Sequence, residues 1–210
     1  MSRFAILLGG DVVATPRLST QLDGARVIAA DSGIRHAATL GLKPELWTGD
    51  FDSVEDSMRE ANPDVPVEAF PPEKDMTDGE IALDAALKRG ATDLLLVGAF
   101  GGARADHAFL HLAAALRLAE SGVACMLSSG HQEGSPILPG KTCYDYDEGT
   151  LFSILAFSDL AGLTLFGAKW PLADRDVAFG SSLTLSNAVS GRLTVGLASG
   201  RAMLVAHPVS

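Results

Sequence analysis

The sequence predicts an α/β domain on a mostly parallel sheet, followed by an all-β domain, and three observations lead there. Short apolar runs repeatedly end at glycine or aspartate turns; helices that close on Gly41, Gly90 and Gly122 alternate with those runs; and beyond Ser128 the helical period stops. Residues 1–128 are therefore assigned to an α/β domain, a Rossmann-like three-layer arrangement, and residues 129–210 to a β-sandwich.

In chain order, Phe4–Leu8 reads as a buried strand and Arg26–Ala30 as a second one entering Asp31. Ile34, Ala37 and Ala38 recur at helical spacing up to Gly41, and Pro44–Thr48 forms a short strand ending at Gly49. A polar helix covers Val54–Ala61, and Val65–Phe70 is a strand interrupted by Pro66. Thr77 and Glu80 have the spacing of a capping box, with Ile81, Ala82, Ala85 and Ala86 as the apolar face of the helix they open. Asp93–Val97 is a buried strand running into a glycine-rich loop, after which Asp106 can cap a helix carrying Phe109, Leu112, Ala113 and Leu116. Val123–Leu127 returns as a strand. The β-prone segments that follow are Thr142–Tyr146, Leu151–Phe157, Leu163–Phe166, Leu193–Leu197 and Ala202–Ala206.

Across 210 residues, 26 acidic side chains face 16 basic ones, and a formal net charge of -10 opposes long-range attraction to nucleic acid or an anionic membrane. An anionic substrate needs local cations or a metal. Cys125 and Cys143 lack CxxC spacing and lie in apolar or aromatic stretches, so buried, inert thiols are expected. No segment approaches the roughly 20 apolar residues of a membrane span, and a soluble, cytoplasmic protein is expected.

Polar, glycine-punctuated segments follow several candidate strands, and in open α/β sheets ligands sit outside the carboxyl ends of the strands. Asp31-Ser32-Gly33 is one such segment and Gly49-Asp50-Phe51-Asp52-Ser53 another. Asp50 and Asp52 alternate along an extended backbone, which puts both carboxylates on one face, suited to sharing magnesium. With Asp31 and Asp78 nearby, each pair of charges about 4 Å apart would repel by roughly 4 kcal/mol at an effective dielectric of 20. Such a cluster calls for a cation or raised pKa values. Lys74 precedes one helix, and Arg104, beyond Gly101-Gly102, precedes another; both loops suit phosphate. Pro139-Gly140-Lys141-Thr142 resembles the end of a P-loop, but its spacing to Gly134 is wrong and it leads into a β-prone stretch. His107 and His111, four apart on a helix, have no third soft ligand, which favours structural or phosphate-facing roles.

Taken together, Asp31-Ser32-Gly33, Gly49-Asp50-Phe51-Asp52-Ser53, Lys74-Asp75-Met76-Thr77-Asp78 and Gly101-Gly102-Ala103-Arg104-Ala105-Asp106-His107 closely resemble the thiamine pyrophosphokinase family. The likeness continues through Lys169-Trp170-Pro171-Leu172, Phe179-Gly180-Ser181-Ser182 and Ser186-Asn187. Two differences stand out: Ala103 precedes Arg104 where the family usually has GGRxDH, so the loop must bulge, and Ala188 stands where an acidic residue is frequent. The resemblance implies a homodimer with active sites at the subunit interface, and pyrophosphoryl transfer from ATP to the thiamine hydroxyl, releasing AMP. It further implies magnesium held by Asp50, Asp52 and Asp78 with Asp31 adjacent, and polyphosphate gripped by Lys74, Thr77 and Arg104. Asp75, Gly101 and Gly102 belong to the same ATP site, and Asp106 with His107 orders the clamp loop. Asp31, Asp52, Asp78 and Arg104 form the catalytic set, with Asp31 or Asp52 the candidate proton acceptor. Trp170, Ser182 and Asn187 would receive thiamine, from the partner subunit. Competing readings are a pyrophosphokinase acting on a pterin alcohol and a catalytically silent nucleotide or thiamine sensor.

Overall fold

The structure, a computed structural model, describes residues 2–51, 54, 56–71 and 75–208. Its first half runs β1 (Arg3–Leu7), α1 (Pro16–Leu22), β2 (Arg26–Ala30), then a 3-10 helix over Asp31–Arg35 that passes into α2 (His36–Thr39). There follow β3 (Leu46–Gly49), α3 (Asp56–Ala61), β4 (Val67–Ala69), α4 (Asp78–Lys88), β5 (Asp93–Val97), α5 (Ala105–Glu120) and β6 (Ala124–Ser128). The second half adds β7 (Glu133–Ile137), β8 (Gly140–Cys143), β9 (Leu151–Ala156), β10 (Leu160–Ala168), β11 (Leu172–Val177), β12 (Asn187–Leu197) and β13 (Ala202–His207).

Alternation along β1 shows how the first half is layered. Phe4 and Ile6 pack into one core and Ala5 and Leu7 into another, all fully buried, and a strand apolar on both sides needs cover on both. On one face Leu18 and Leu22 of α1, Ile34 and Ala37 supply it. On the other, Ala82 and Ala86 of α4 and Ala115 and Leu116 of α5 do so. Strands β4-β3-β2-β1-β5-β6 lie in that order and are parallel throughout. The chain winds outward from β1 through β2 to β4, then returns to lay β5 and β6 on its other side. The direction of winding therefore reverses between β1 and β5, where open sheets leave a crevice.

Hydrogen bonding continues past β6, which pairs antiparallel with β7, followed by β13 and β9. The long β12 leaves β9 after Asn187–Ala188 and goes on to pair β10 and β8, wrapping the antiparallel strands around Phe152, Ile154, Leu163, Val195 and Leu204. The cores are not sealed from each other by half: Met203 of β13 packs with the α4–α5 core.

Several elements differ from the sequence reading. Helix α1 was not anticipated, because its seven residues show only Leu18 and Leu22 as period; its start signal is nevertheless plain, Thr15 accepting the Leu18 N–H at 3.1 Å with Pro16 in the first turn. Asp106 is not the cap of α5, which starts at Ala105 after Arg104; the carboxylate turns to the Arg104 guanidinium instead. Strand β7 contains Pro136 and β11 the charges Asp174, Arg175 and Asp176, both of which hide a strand from pattern reading. Pro136 is tolerated because β6 pairs only with Glu133 and Gly134, leaving β13 as the sole neighbour further along. Cys143 is exposed, contrary to expectation, whereas Cys125 is largely buried and its thiol is pushed up to about 12 by desolvation.

Candidate active site

At the β1/β5 crevice lies a cleft of about 570 Å³ lined by the segments Leu8–Asp11, Ala30–Ser32, Thr77–Gly79, Gly98–Ala99 and Gly101–Arg104, with Arg35, His107 and His111. Each segment follows a parallel strand or opens a helix, so the cleft collects the loops the sheet topology throws to one edge. Another cavity of about 540 Å³ opens beside α1, but its arginine, Arg17, is already committed to Glu133 at 2.6 Å. The chemistry therefore belongs to the first.

Asp31 follows β2 directly with φ 44, and Phe51 has φ 61, both in the left-handed region that non-glycine residues seldom occupy. The Trp47 indole N–H donates to the Asp31 carbonyl at 2.8 Å. Asp50 does not line the cleft, but Gly49 before it touches the Asp31 backbone: a Cβ there would stand 3.2 Å from the Asp31 Cα. Asp78, the first residue of α4, lines the cleft with Asp31, and the helix start is set by the expected capping box. Thr77 Oγ1 accepts the Glu80 N–H at 3.3 Å while the Thr77 N–H donates to Glu80 at 3.1 Å. Asp52 and Lys74 lie outside the described residues. Among the described residues no three metal-ligating side chains come together. Three carboxylates line the cleft: Asp31 and Asp78, each in the first turn of a helix, and Asp11, which accepts the Gly102 N–H. That donor set fits magnesium, which takes hard oxygen ligands, often only one or two of them from protein, and completes its shell with phosphate and water.

The glycine-rich loop is tied down by residues the sequence reading passed over. Asp11 accepts the Gly102 N–H at 3.0 Å, the Gly10 N–H donates to Gly98 and the Asp11 N–H to Phe100. From the other side, Arg35 donates to the Gly9 and Gly10 carbonyls and His36 to Gly10 at 2.9 Å. His111 donates to the Ala99 carbonyl at 3.2 Å. Burial holds both imidazoles below the ordinary histidine value, against the pull of those carbonyls. Gly9-Gly10-Asp11 had a readable signal, a glycine pair and a carboxylate at the end of a buried strand, the pattern already singled out elsewhere.

Arg104 and Asp106 form an exposed bidentate pair at 2.6 and 3.0 Å on the rim, and the guanidinium holds that carboxyl well below the usual range. Gly101, Gly102 and His107 line the cleft; Asp75 does not, facing a separate groove with Met76, Glu68 and Phe70. Trp170, in the β10–β11 turn, Ser182, in the β11–β12 loop, and Asn187, the first residue of β12, do not line it. The Asn187 amide is occupied with Trp170, accepting its N–H at 3.1 Å and donating to its carbonyl at 2.8 Å. The Trp170 indole is more than half exposed, with the Lys169 ammonium 4.7 Å from its ring centre.

Two family models match the chain: thiamin pyrophosphokinase, catalytic domain, over residues 21–127, and thiamin pyrophosphokinase, vitamin B1 binding domain, over 142–201. A thiamine pyrophosphokinase of Bacillus subtilis (strain 168) is 29% identical over 211 residues, covering 98% of each chain. The crystal structure of thiamine pyrophosphokinase from Bacillus subtilis superposes with a TM-score of 0.86 at 26% identity over 100% of both chains. That of thiamin pyrophosphokinase from Geobacillus thermodenitrificans gives 0.79 at 28% identity over 100% and 99%. With the catalytic model spanning β2 to β5 and all but the first of the segments that line the cleft, and the second model spanning β9 to β12, the chain belongs to the thiamin pyrophosphokinase family.

Proposed function

We propose that this protein transfers the pyrophosphoryl group of ATP to the hydroxyl of thiamine, giving thiamine diphosphate and AMP. One observation carries the reading: in a chain of this family, Asp31 and Asp78, the N-terminus of α4 and the glycine-rich loop before α5 open onto one cleft. Free N–H groups at helix starts suit a polyphosphate, and they offset the repulsion that a net charge of -10 imposes on ATP. Neither competing reading finds support in the matched families.

In this reading residues 1–128 are a Rossmann-like nucleotide domain, and residues 129–210 a sandwich for thiamine binding and dimerisation. Asp50, Asp52 and Asp78 would hold magnesium with Asp31 beside them, and the chemistry the ion would supply there is neutralisation of phosphate charge and polarisation of the phosphorus to be attacked. Lys74, Thr77 and Arg104 grip the polyphosphate, Asp106 orients Arg104, and the Gly101–Gly102 backbone lets phosphate approach closely. Positioning and preorganised charge supply most of phosphoryl-transfer catalysis, so an obligatory general base is not required. Trp170 and Ser182 contact thiamine across a homodimer interface, with Asn187 holding the Trp170 backbone. Support for the interface is that Phe166, Trp170, Phe179 and Leu183, all large and apolar, are each exposed in the β10–β12 part of the chain, which does not line the acidic cleft. A cationic ring suits an indole face, where it must replace Lys169 or take the opposite side.

The test is product analysis after incubation with ATP, magnesium and thiamine. AMP with thiamine diphosphate is expected. ADP with thiamine monophosphate would indicate simple kinase chemistry, and binding without turnover a sensor.

A further inference from the structure

We infer that Trp47 is a positioning residue for the carboxylates of the site, its indole holding the loops after β2 and β3 in their left-handed turns. The inference rests on the divalent-metal reading above. Trp47 is 1% exposed in the middle of β3, and a buried indole N–H needs an acceptor. It takes the carbonyl of Asp31, at 2.8 Å, on the neighbouring loop. The same ring meets Phe51 edge-on, with centroids 5.0 Å apart and planes at 90°, and Phe51 sits between Asp50 and Asp52. The Arg59 guanidinium also lies over the Phe51 ring, 4.8 Å from its centroid.

Asp31 and Phe51 are two of only four described non-glycine residues with positive φ, and Trp47 touches both. Left-handed turns at non-glycine residues persist only where their surroundings hold them. Fixing the Asp31 carbonyl fixes the peptide plane after it, and so the direction in which its side chain leaves. Fixing Phe51 does the same for the backbone that leaves Asp50. One side chain thereby governs the relative placement of carboxylates from two loops, although it touches neither substrate.

The test is Trp47→Phe, which keeps an aromatic ring in the core and deletes the N–H donor. The magnesium concentration for half-maximal activity should rise about tenfold, the scale of one lost buried hydrogen bond, while the thiamine KM stays constant and saturating magnesium restores turnover. An unchanged magnesium requirement with a lowered thermal midpoint would overturn the inference and leave Trp47 as core filling. A second measurement does not depend on that variant folding. The chain has two tryptophans, so in Trp170→Phe the emission is that of Trp47, and adding magnesium and ATP should shift it. No shift, with binding confirmed by calorimetry, would also overturn the inference. If the unsubstituted protein needs no divalent ion, the metal reading itself fails and takes this inference with it.

Discussion

Arg104 shows how little of a residue's role is visible in its identity. As a letter beyond two glycines it reads as a phosphate clamp, and in the structure it spends two of its three guanidinium nitrogens, Nε and Nη2, on Asp106, two residues further along. That pair is exposed, 65% and 63% at the side chains, so its contribution to folding is small. In the function proposed above, the pair would hold a planar fork at the cleft rim from which Arg104 bridges to phosphate. Lysine retains the charge but not the fork. Arg104→Lys should therefore raise the KM for ATP about tenfold with no change in thermal midpoint; an unaltered ATP requirement would make the pair a solvated surface contact. Asn187 carries a parallel lesson. The sequence assigns it to thiamine, but its amide is committed to both backbone groups of Trp170, so in the proposed function it would act by holding the backbone that carries the indole.

At the scale of elements, the cleft is held by contacts between loops more than by the helices beneath them. His36, following the 3-10 helix, binds Gly10, and His111, in the second turn of α5, binds Ala99; each thus ties a neighbouring strand-end loop. Both imidazoles sit below the ordinary value of 6.5, chiefly through burial. The unfolded chain therefore takes up protons that the native one refuses as the pH falls below that value. Stability from these groups is full above it and is lost on acidification toward the lower native values. The thermal midpoint should accordingly drop between about pH 7 and about pH 5, and the double variant His36→Gln, His111→Gln should show a shallower drop, measured by calorimetry across the range. An equal slope in both proteins would assign the acid sensitivity to carboxylates. Helix α4 needed no such tertiary reasoning, because its capping box lies within four consecutive residues, Thr77–Glu80.

For the molecule as a whole, the joint between the two halves is the feature least visible in the chain. Glu133 at the start of β7 is fully buried and bound by Arg17 at 2.6 and 3.1 Å and by Gln21 at 2.5 Å, both on α1. Arg17 also lies 5.0 Å above the Tyr146 ring, so one side chain links the first helix to the C-terminal β region. Removing it leaves a buried carboxylate short of its cation. Because Arg17 is itself 40% exposed, the cost should fall near the low end for broken buried pairs, about 3 kcal/mol. Arg17→Ala should show this in denaturant unfolding, and a loss below about 1 kcal/mol would mean that water replaces the guanidinium.

The sequence by itself determined the parallel strands, the helices that close on glycine, the cap of α4 and the ordered acidic and glycine-rich motifs that identify the family. All of these are local: a period, a cap or a short motif needs only neighbouring residues to express its chemistry. Tertiary structure alone decided that β1 lies beside β5, with Leu7 opposite Val97, and so brought Asp11 against Gly102 across 91 positions. It likewise turned Trp47 from an apolar strand residue into the donor that holds Asp31. Strand neighbours are chosen by long-range pairing and two-sided burial, and no local pattern records which partner a strand will find.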